Sequence, residues 1–368
     1  MKNFKKIKLS DVCEKIGSGA TPRGGEKNYT KNGISFIRSK NVQDFYFDYE
    51  NLAFINEEQA NQLSNVEIFP NDILFNITGD SIARCCLVPE NILPARVSQH
   101  VSILRCRKNF NSQYIMYHLQ YLKNYLLSIC KIGGTRNALT KEMLENLQIN
   151  IPDSQNKISE VLFSLDQKIF LNKKINATLE EMAKTFYLHK FFRKTPNSTL
   201  GEIIFENPKS TIPVGDAKNS CGDFPFFTSG ENILRWNNFL VDGRNIFLNT
   251  GGNAGIKFYV GKSAYSTHTW CISAKNFTDY LYLFLKITEP ELNKKFFQGT
   301  SLKHLQKDSL KNFAIYIPTE NEVAEFNNFI CPLFDLISKN FRENNLLERL
   351  RDFLLPLLMN GQVGFEKE

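Results

Sequence analysis

The chain has 368 residues, 42% apolar and 23% charged, and its 45 Lys and Arg against 38 Asp and Glu leave a formal net charge of +7. That length supports two or three domains with real cores, and the modest basic excess permits a nucleic-acid partner without requiring one. No apolar run approaches the ~20 residues of a membrane span, and MKNFKKIKLSDVCEK has no apolar stretch behind its basic residues, so no signal peptide is expected.

In chain order, residues 7–19 (IKLSDVCEKIGSG) read as a short strand, a helical turn capped by Ser10 or Asp11, and a Gly-rich exit. The loop GSGATPRGGEKNY sets Arg23 and Lys27 among glycines. Glycine lets backbone approach a ligand and basic groups suit phosphate, although an ordinary surface loop has the same composition. GISFIRSKNV (33–42) reads as a strand ending in Arg38, Ser39 and Lys40. Residues 68–89 read as turn, strand, Gly-containing turn and strand, and 97–106 as another alternating run. A helix over 112–128 packs against these strands, and 133–152 closes the globule with a Gly turn, a short helix and a strand.

Residues 155–192 then form one long helix without Pro or Gly. Ile158, Leu162, Leu165, Ile169, Ile175, Leu179, Met182 and Phe186 recur at three- and four-residue steps, the spacing of a coiled-coil seam. Asn172 puts a polar group on that stripe, where it costs stability and can set register against a partner helix. At about 1.5 Å per residue the helix measures roughly 55 Å.

After a breaker-rich linker (193–198) the pattern restarts. TLGEIIFENPKS echoes KLSDVCEKIGSG, DFPFFTSGEN echoes GISFIRSKNV, and GRNIFLNTGGNAGIKFYVG echoes NDILFNITGDSIARCCLVP. STHTWCIS echoes SQHVSILR, and QGTSLKHLQKDSLKNFAIYIP echoes GGTRNALTKEMLENLQINIP. A second amphipathic helix over 321–358 should be kinked or split near Pro332. The chain is a tandem duplication. Related halves pack about a pseudo-two-fold axis, so the two long helices should run antiparallel with one globule towards each end. Two heads at a set separation suit two half-sites on a duplex, up to roughly 15 base pairs apart at about 3.4 Å each. Because the heads differ, the target should be asymmetric. A duplicated scaffold or RNA-binding protein would share this layout.

LDQKIFLNKKINATLEEMAKTFY (165–187), preceded by NLQINIP, together with IGSGATP, DILFNITGDSIA and GTRNALT, resembles the specificity subunit of a type I restriction–modification system over essentially the whole chain. The resemblance implies an α+β fold with two similar target recognition heads and two long helices packed as an antiparallel coiled coil. On that reading the first head is 1–153, its helix 154–194, the second head 195–319, its helix 320–360 and the tail 361–368. It also implies double-stranded DNA and two adenine methyltransferase subunits as partners, and an endonuclease and motor subunit where one exists; the scattered thiols, for their part, suggest a reducing cytoplasm. S-adenosylmethionine would belong to the methyltransferase, and ATP and Mg to the restriction subunit. The second half departs from the pattern: DFPFF lacks the basic RSK ending, and NPKSTIP (207–213) is the only counterpart of the GATP loop.

Catalytic motifs are missing. There is no [DN]PP[YF], no GxxxxGK[ST], and TGGNAG (250–255) has the wrong spacing for a dinucleotide loop. The five histidines and eight cysteines show no zinc spacing, so the thiols are expected to be mostly buried apolar groups, with no cofactor or metal in this chain. The expected DNA-facing residues of the first head are Arg23, Arg38, Ser39, Lys40, Thr78, Arg84, Arg96, Gln99, His100, Arg136 and Asn137. In the second they are Thr228, Ser229, Arg235, Trp236, Thr250, Asn253, Lys257, His268, Lys303 and His304. Arg suits guanine or phosphate, and Asn and Gln suit adenine edges. His100 and His268 occupy matching positions, as DNA-facing groups or as a shared structural hydrogen bond. Phe186, Phe191, Phe192, Leu354, Leu357 and Leu358, near the helix ends, are the expected partner-docking residues.

Overall fold

A computed structural model describes residues 4–130, 138–299 and 303–365. The chain packs into two compact units, residues 1–169 with 346–368, and residues 170–345.

In the first unit, Phe4–Lys8 pairs antiparallel with Gln148–Pro152, clipping the start of the globule to its end. Between them a four-stranded antiparallel sheet runs in the order Cys13–Ser18, Val101–Cys106, Ile73–Asn76, Cys85–Leu87. Its inner strands, Val101–Cys106 and Ile73–Asn76, are mostly apolar and buried because both of their faces are covered, and the two-residue period sorts the side chains. Ile73, Phe75, Cys85 and Leu104 face a core that includes residues of the helices Ser112–Tyr121 and Lys123–Ile129. Leu74, Cys86, Val101 and Ile103 face the other way, onto a second sheet of Ala53–Ile55, Ile34–Ile37, Ala95–Val97 and Glu67–Ile68.

The second unit repeats this plan. Ser198–Thr199 pairs with Ala314–Ile315, and the central sheet runs Phe205–Glu206, Thr269–Ser273, Arg244–Asn249, Ile256–Val260. Ile246, Leu248 and Trp270 face the helix Thr278–Lys295, while Phe247 and Cys271 face the opposite side with Phe227 and Tyr265. In the central sheet the order matches the first unit strand for strand, which bears out the duplication.

Three local expectations are corrected. Neither Ser10 nor Asp11 caps the first turn: the helix Leu9–Val12 starts after Lys8 without a side-chain cap and is held by burial of Leu9 and Val12. The expected Gly-rich exit is a strand, Cys13–Ser18, because its backbone pairs with Val101–Cys106. The helix expected over 112–128 is broken at Leu122.

The long helices are Gln155–Phe191 and Glu320–Met359. The second is unbroken through Pro332, with Phe326, Ile330 and Phe334 buried on either side of the proline, so the expected kink does not divide it. Within the second unit, Asn172 Nδ2 donates to Asn344 Oδ1 at 2.9 Å, and Asn340 Nδ2 donates to Asn176 Oδ1 at 2.8 Å. Rising numbers on one helix meet falling numbers on the other, so the two segments run antiparallel there. The seam then continues through Ala183, Tyr187 and Phe191, all buried, while Ile175 and Met182 are exposed. Four-residue steps after Asn172 carry the stripe round the helix and leave those two outside it.

Asn172 is 1% exposed and also donates to Glu343 Oε2 at 2.9 Å. Asn172→Leu should therefore cost about 1–3 kcal/mol by stranding its partners, and Asn172→Leu with Asn344→Leu should recover most of that. Chemical denaturation of the three proteins measures both. In the first unit, His118 is 1% exposed and its Nε2 accepts the Asn150 N–H at 3.2 Å. Burial pulls its pKa from 6.5 down to about 4, so between those values the unfolded chain takes up a proton that the folded one refuses. Stability should fall as pH drops from 6.5 towards 4, by up to ~3 kcal/mol. Thermal unfolding across that window should show the decline, and His118→Gln, whose amide oxygen also accepts an N–H, should reduce it.

Candidate nucleic-acid interface

Since the sheet faces are covered, polar side chains emerge where the central strands end. In the first head the end of Ile73–Asn76 and the turn before Val101 come together. Ile77 N–H donates to the His100 carbonyl at 3.1 Å, and Thr78 Oγ1 and His100 Nδ1 are hydrogen-bonded at 2.7 Å. Leu139 N–H donates to the Ile77 carbonyl at 2.9 Å, so the segment following residues 131–137 returns to the same place. Gln99 and His100 are exposed at this turn.

Asn76, fully buried, organises the adjoining loop. Its Nδ2 donates to the carbonyls of Ser39 at 2.8 Å and Val42 at 3.3 Å. Gln43 Nε2 donates to the Lys40 carbonyl at 2.8 Å, and Arg84 Nη1 donates to Gln43 Oε1 at 2.7 Å. Ser39, Lys40, Thr78, Arg84, Gln99 and His100 thus share one region. Arg23 is exposed in the Gly-rich loop, whose root bonds to the same turn through Ala20 N–H and the Val97 carbonyl at 3.0 Å.

Arg38 instead ties that loop down, bonding Glu26 Oε1 at 2.9 Å and the Asn51 carbonyl at 2.7 Å. Arg96 is a correction: it is 6% exposed, donating to the Ala60 carbonyl at 3.0 Å and paired with Glu67 at 3.1 Å. A guanidinium enclosed by its own sheet has no reach to a ligand. Arg136 and Asn137 lie outside the described residues.

The second head repeats the arrangement. Thr250 N–H and Oγ1 both donate to the His268 carbonyl, at 3.1 and 2.8 Å, and Ser229 Oγ donates to the same carbonyl. Gly252 N–H donates to the Lys303 carbonyl at 2.9 Å, and Leu305 N–H to the Thr250 carbonyl at 3.1 Å, which brings Lys303 and His304 alongside. What the matching histidines share is the backbone bond: the carbonyls of His100 and His268 accept from Ile77 and Thr250. Asn249, paired with Thr269 as Asn76 is with Val101, donates from Nδ2 to the Asn253 carbonyl at 3.2 Å.

Other residues expected at this site serve different ends. Thr228 is 5% exposed and accepts Gly230 N–H at 3.1 Å, a turn-closing role. Lys257 Nζ donates to the carbonyls of Thr228 at 2.8 Å and Gly230 at 2.6 Å, and burial pushes its pKa down. Arg235 reaches the Asn345 carbonyl of the second long helix at 3.1 Å, and Trp236 packs on Phe226 with ring centroids 5.9 Å apart. Lys209, Thr211, Thr267 and Lys307, absent from the expected set, line a cleft with Thr250 and His268. NPKST, recognised as the counterpart of the GATP loop, was the signal for the first two.

The docking set is also corrected. Phe191 is buried against Tyr280 and Phe326, at 5.1 and 5.4 Å between centroids, and Leu358 is buried in the first unit's core. Phe186 stacks on Phe326, and Leu354 and Leu357 are half-buried, so of the six only Phe192 is exposed. The exposed apolar side chains on the long helices are others, among them Leu171, Ile175 and Met182 on the first and Leu346, Leu350 and Phe353 on the second.

The model of the type I restriction modification DNA specificity domain matches residues 1–181 and again 196–349. The chain belongs to this family. The type I restriction enzyme MjaIX specificity subunit of Methanocaldococcus jannaschii is 23% identical over 411 residues, covering 98% of this chain and 93% of its own. The HindI specificity subunit of Haemophilus influenzae is 26% identical over 184 residues, covering 44% of this chain and 39% of its own. The crystal structure of the S subunit from M. genitalium superposes with a TM-score of 0.64 at 14% identity, covering 97% of this chain and 96% of that one, which shows a shared fold. As a member of a DNA specificity family, the chain is a recognition subunit and not a catalyst. Among the described residues no helix is long and apolar enough to cross a membrane, and no group of three or more His, Cys, Asp or Glu is placed to hold a metal.

Among the described residues Asn76 Oδ1 and Asn249 Oδ1 are buried without hydrogen-bond partners, so each residue acts through its donor amide. Asn76→Asp, which keeps the shape and loses the donor, should release the Ser39–Val42 loop and lower affinity about 10-fold, roughly 1.4 kcal/mol. The loss should appear as relaxed base preference at the first half-site alone. Binding to duplexes with single base changes in either half-site measures it, with unfolding curves confirming that the head stays folded.

Proposed function

We propose that this chain reads an asymmetric, bipartite DNA site, one part with each head, and directs adenine methylation of that site by partner subunits. The observation carrying this reading is the repetition of one strand-end cluster in two heads with different side chains at matching positions. From the Asn76 and Asn249 pairings, Gln99 corresponds to Thr267 and His100 to His268. A common backbone frame with exchanged side chains is what two readers of different sequences need.

In this proposal residues 1–153 and 195–319 are the recognition heads, and 154–194 and 320–360 a coiled-coil spacer. Two methyltransferase subunits dock on the long helices, where Leu171, Ile175, Met182, Leu346, Leu350 and Phe353 expose apolar surface outside the seam. S-adenosylmethionine is bound by those subunits, and ATP and Mg by a restriction subunit where the host has one. The site of action is the cytoplasm.

A genome-wide map of methylated adenines, with and without the gene, tests the function directly. One bipartite, asymmetric motif should lose methylation on deletion. Complementing with a Thr78→Ala, His100→Ala variant should relax the first half of the motif and leave the second intact. Equal losses at both halves would sink the two-reader model.

A further inference from the structure

The two heads differ in one place where their backbones otherwise correspond. Glu206 pairs with Ile272 as Ile16 pairs with Leu104, so counting on along both loops sets Lys209 opposite Gly19. In the first head the loop lies shut on the turn: Gly19 N–H donates to the Val101 carbonyl at 2.8 Å, and a Cβ on Gly19 would sit 2.2 Å from the Val97 carbonyl oxygen. No side chain fits there.

In the second head the loop is pinned at its two ends. Tyr265 Oη donates to the Pro208 carbonyl at 2.5 Å, and Thr267 N–H donates to the Ile212 carbonyl at 3.0 Å. Beside the intervening residues opens a cleft of 680 Å³, lined by Lys209, Thr211, Thr267, His268, Trp270 and Lys307 among others. The side chains of Lys209, Thr211, Thr267 and His268 make no hydrogen bond among the described residues. Lys307 Nζ sits 4.8 Å from the centre of the Trp270 ring and 3.9 Å from Glu206 Oε2. Glu206, the carboxylate of the lining, is occupied by Trp270 Nε1 at 2.8 Å and by Lys311. Three lysines against Glu206 and the neighbouring Asp308, which acts on both Lys307 and Lys311, leave an excess of positive charge.

We propose that this cleft seats a phosphodiester of one DNA strand at the half-site read by the second head, a subsite that Gly19 closes off in the first. The proposal rests on the DNA-reading function above and specifies how one head grips its half. Flexible ammonium groups and hydroxyls suit a phosphate. Base-edge reading calls for planar bidentate groups, and the one carboxamide in the lining, Asn207, is spent on Asn245 Oδ1 at 2.9 Å. Burial, which pushes the pKa of Lys307 down, is offset once an anion enters beside it.

The test is the salt dependence of binding, using the chain with its methyltransferase partner and a duplex carrying the mapped motif. Lys209→Ala with Lys307→Ala should make the slope of log K against log salt shallower by about 1 per lysine. Affinity should drop at least 10-fold near 0.1 M salt, roughly 1.4 kcal/mol, with the ranking of base-substituted duplexes unchanged. Arg at both positions should restore the slope. Lys209→Gln alone, at an exposed side chain, keeps the test readable if the double variant folds poorly. An unchanged slope, or a changed base ranking, overturns the subsite. Failure of the wild-type complex to bind the duplex at all overturns the DNA-reading function, and the subsite with it.

Discussion

Both faces of each central sheet are covered, one by helices and one by a second sheet, and this coverage decides where chemistry can reach the surface. Leu74 and Phe75, adjacent in sequence, are buried in opposite cores, as are Ile246 and Phe247. A strand buried twice over has no solvent face on which to mount a polar group. The polar side chains therefore gather where strands stop, at Thr78 and His100 in one head and Thr250 and His268 in the other. A buried asparagine sits at each of these ends, and its amide donates to carbonyls of the adjoining loop.

The same rule governs the long helices. Asn172, Asn340 and Asn344 are buried in an otherwise apolar packing, and they are satisfied there by one another and by neighbouring polar groups. Such a layer adds little net stability compared with leucines of similar size, but a slipped register strands every member of it. Its value is in specifying which residues face each other. Apolar side chains pushed out of that seam, Ile175 and Met182 among them, are left as exposed surface.

The duplication was legible in the sequence because it rests on period and repetition, which survive without knowledge of partners. Asn172 was legible for the same reason, as a polar break in a regular stripe. Individual side chains were not. Arg96 and Arg38 look like ligand-seeking arginines, yet Glu67 and Glu26, each more than ten residues away in sequence, neutralise them. Phe191 and Leu358 sit near helix ends and read as free, but each lies in a core assembled from segments distant in the chain. Burial is decided by what folds back, and local sequence does not carry that.

Topology and side-chain identity have separate tasks in this molecule. The carbonyls of His100 and His268 close the same turn in both heads through the same backbone bond, which depends on no side chain. With the turn held by main chain, the exposed positions beside it are free to differ, as Gln99 does from Thr267 and Gly19 from Lys209. Gly19 is the limiting case: a position that can carry no side chain in one head carries a lysine in the other, where the loop is anchored through Tyr265 and Thr267 and a cleft opens beside it. A frame fixed by backbone can thus present two unlike surfaces without any change of fold.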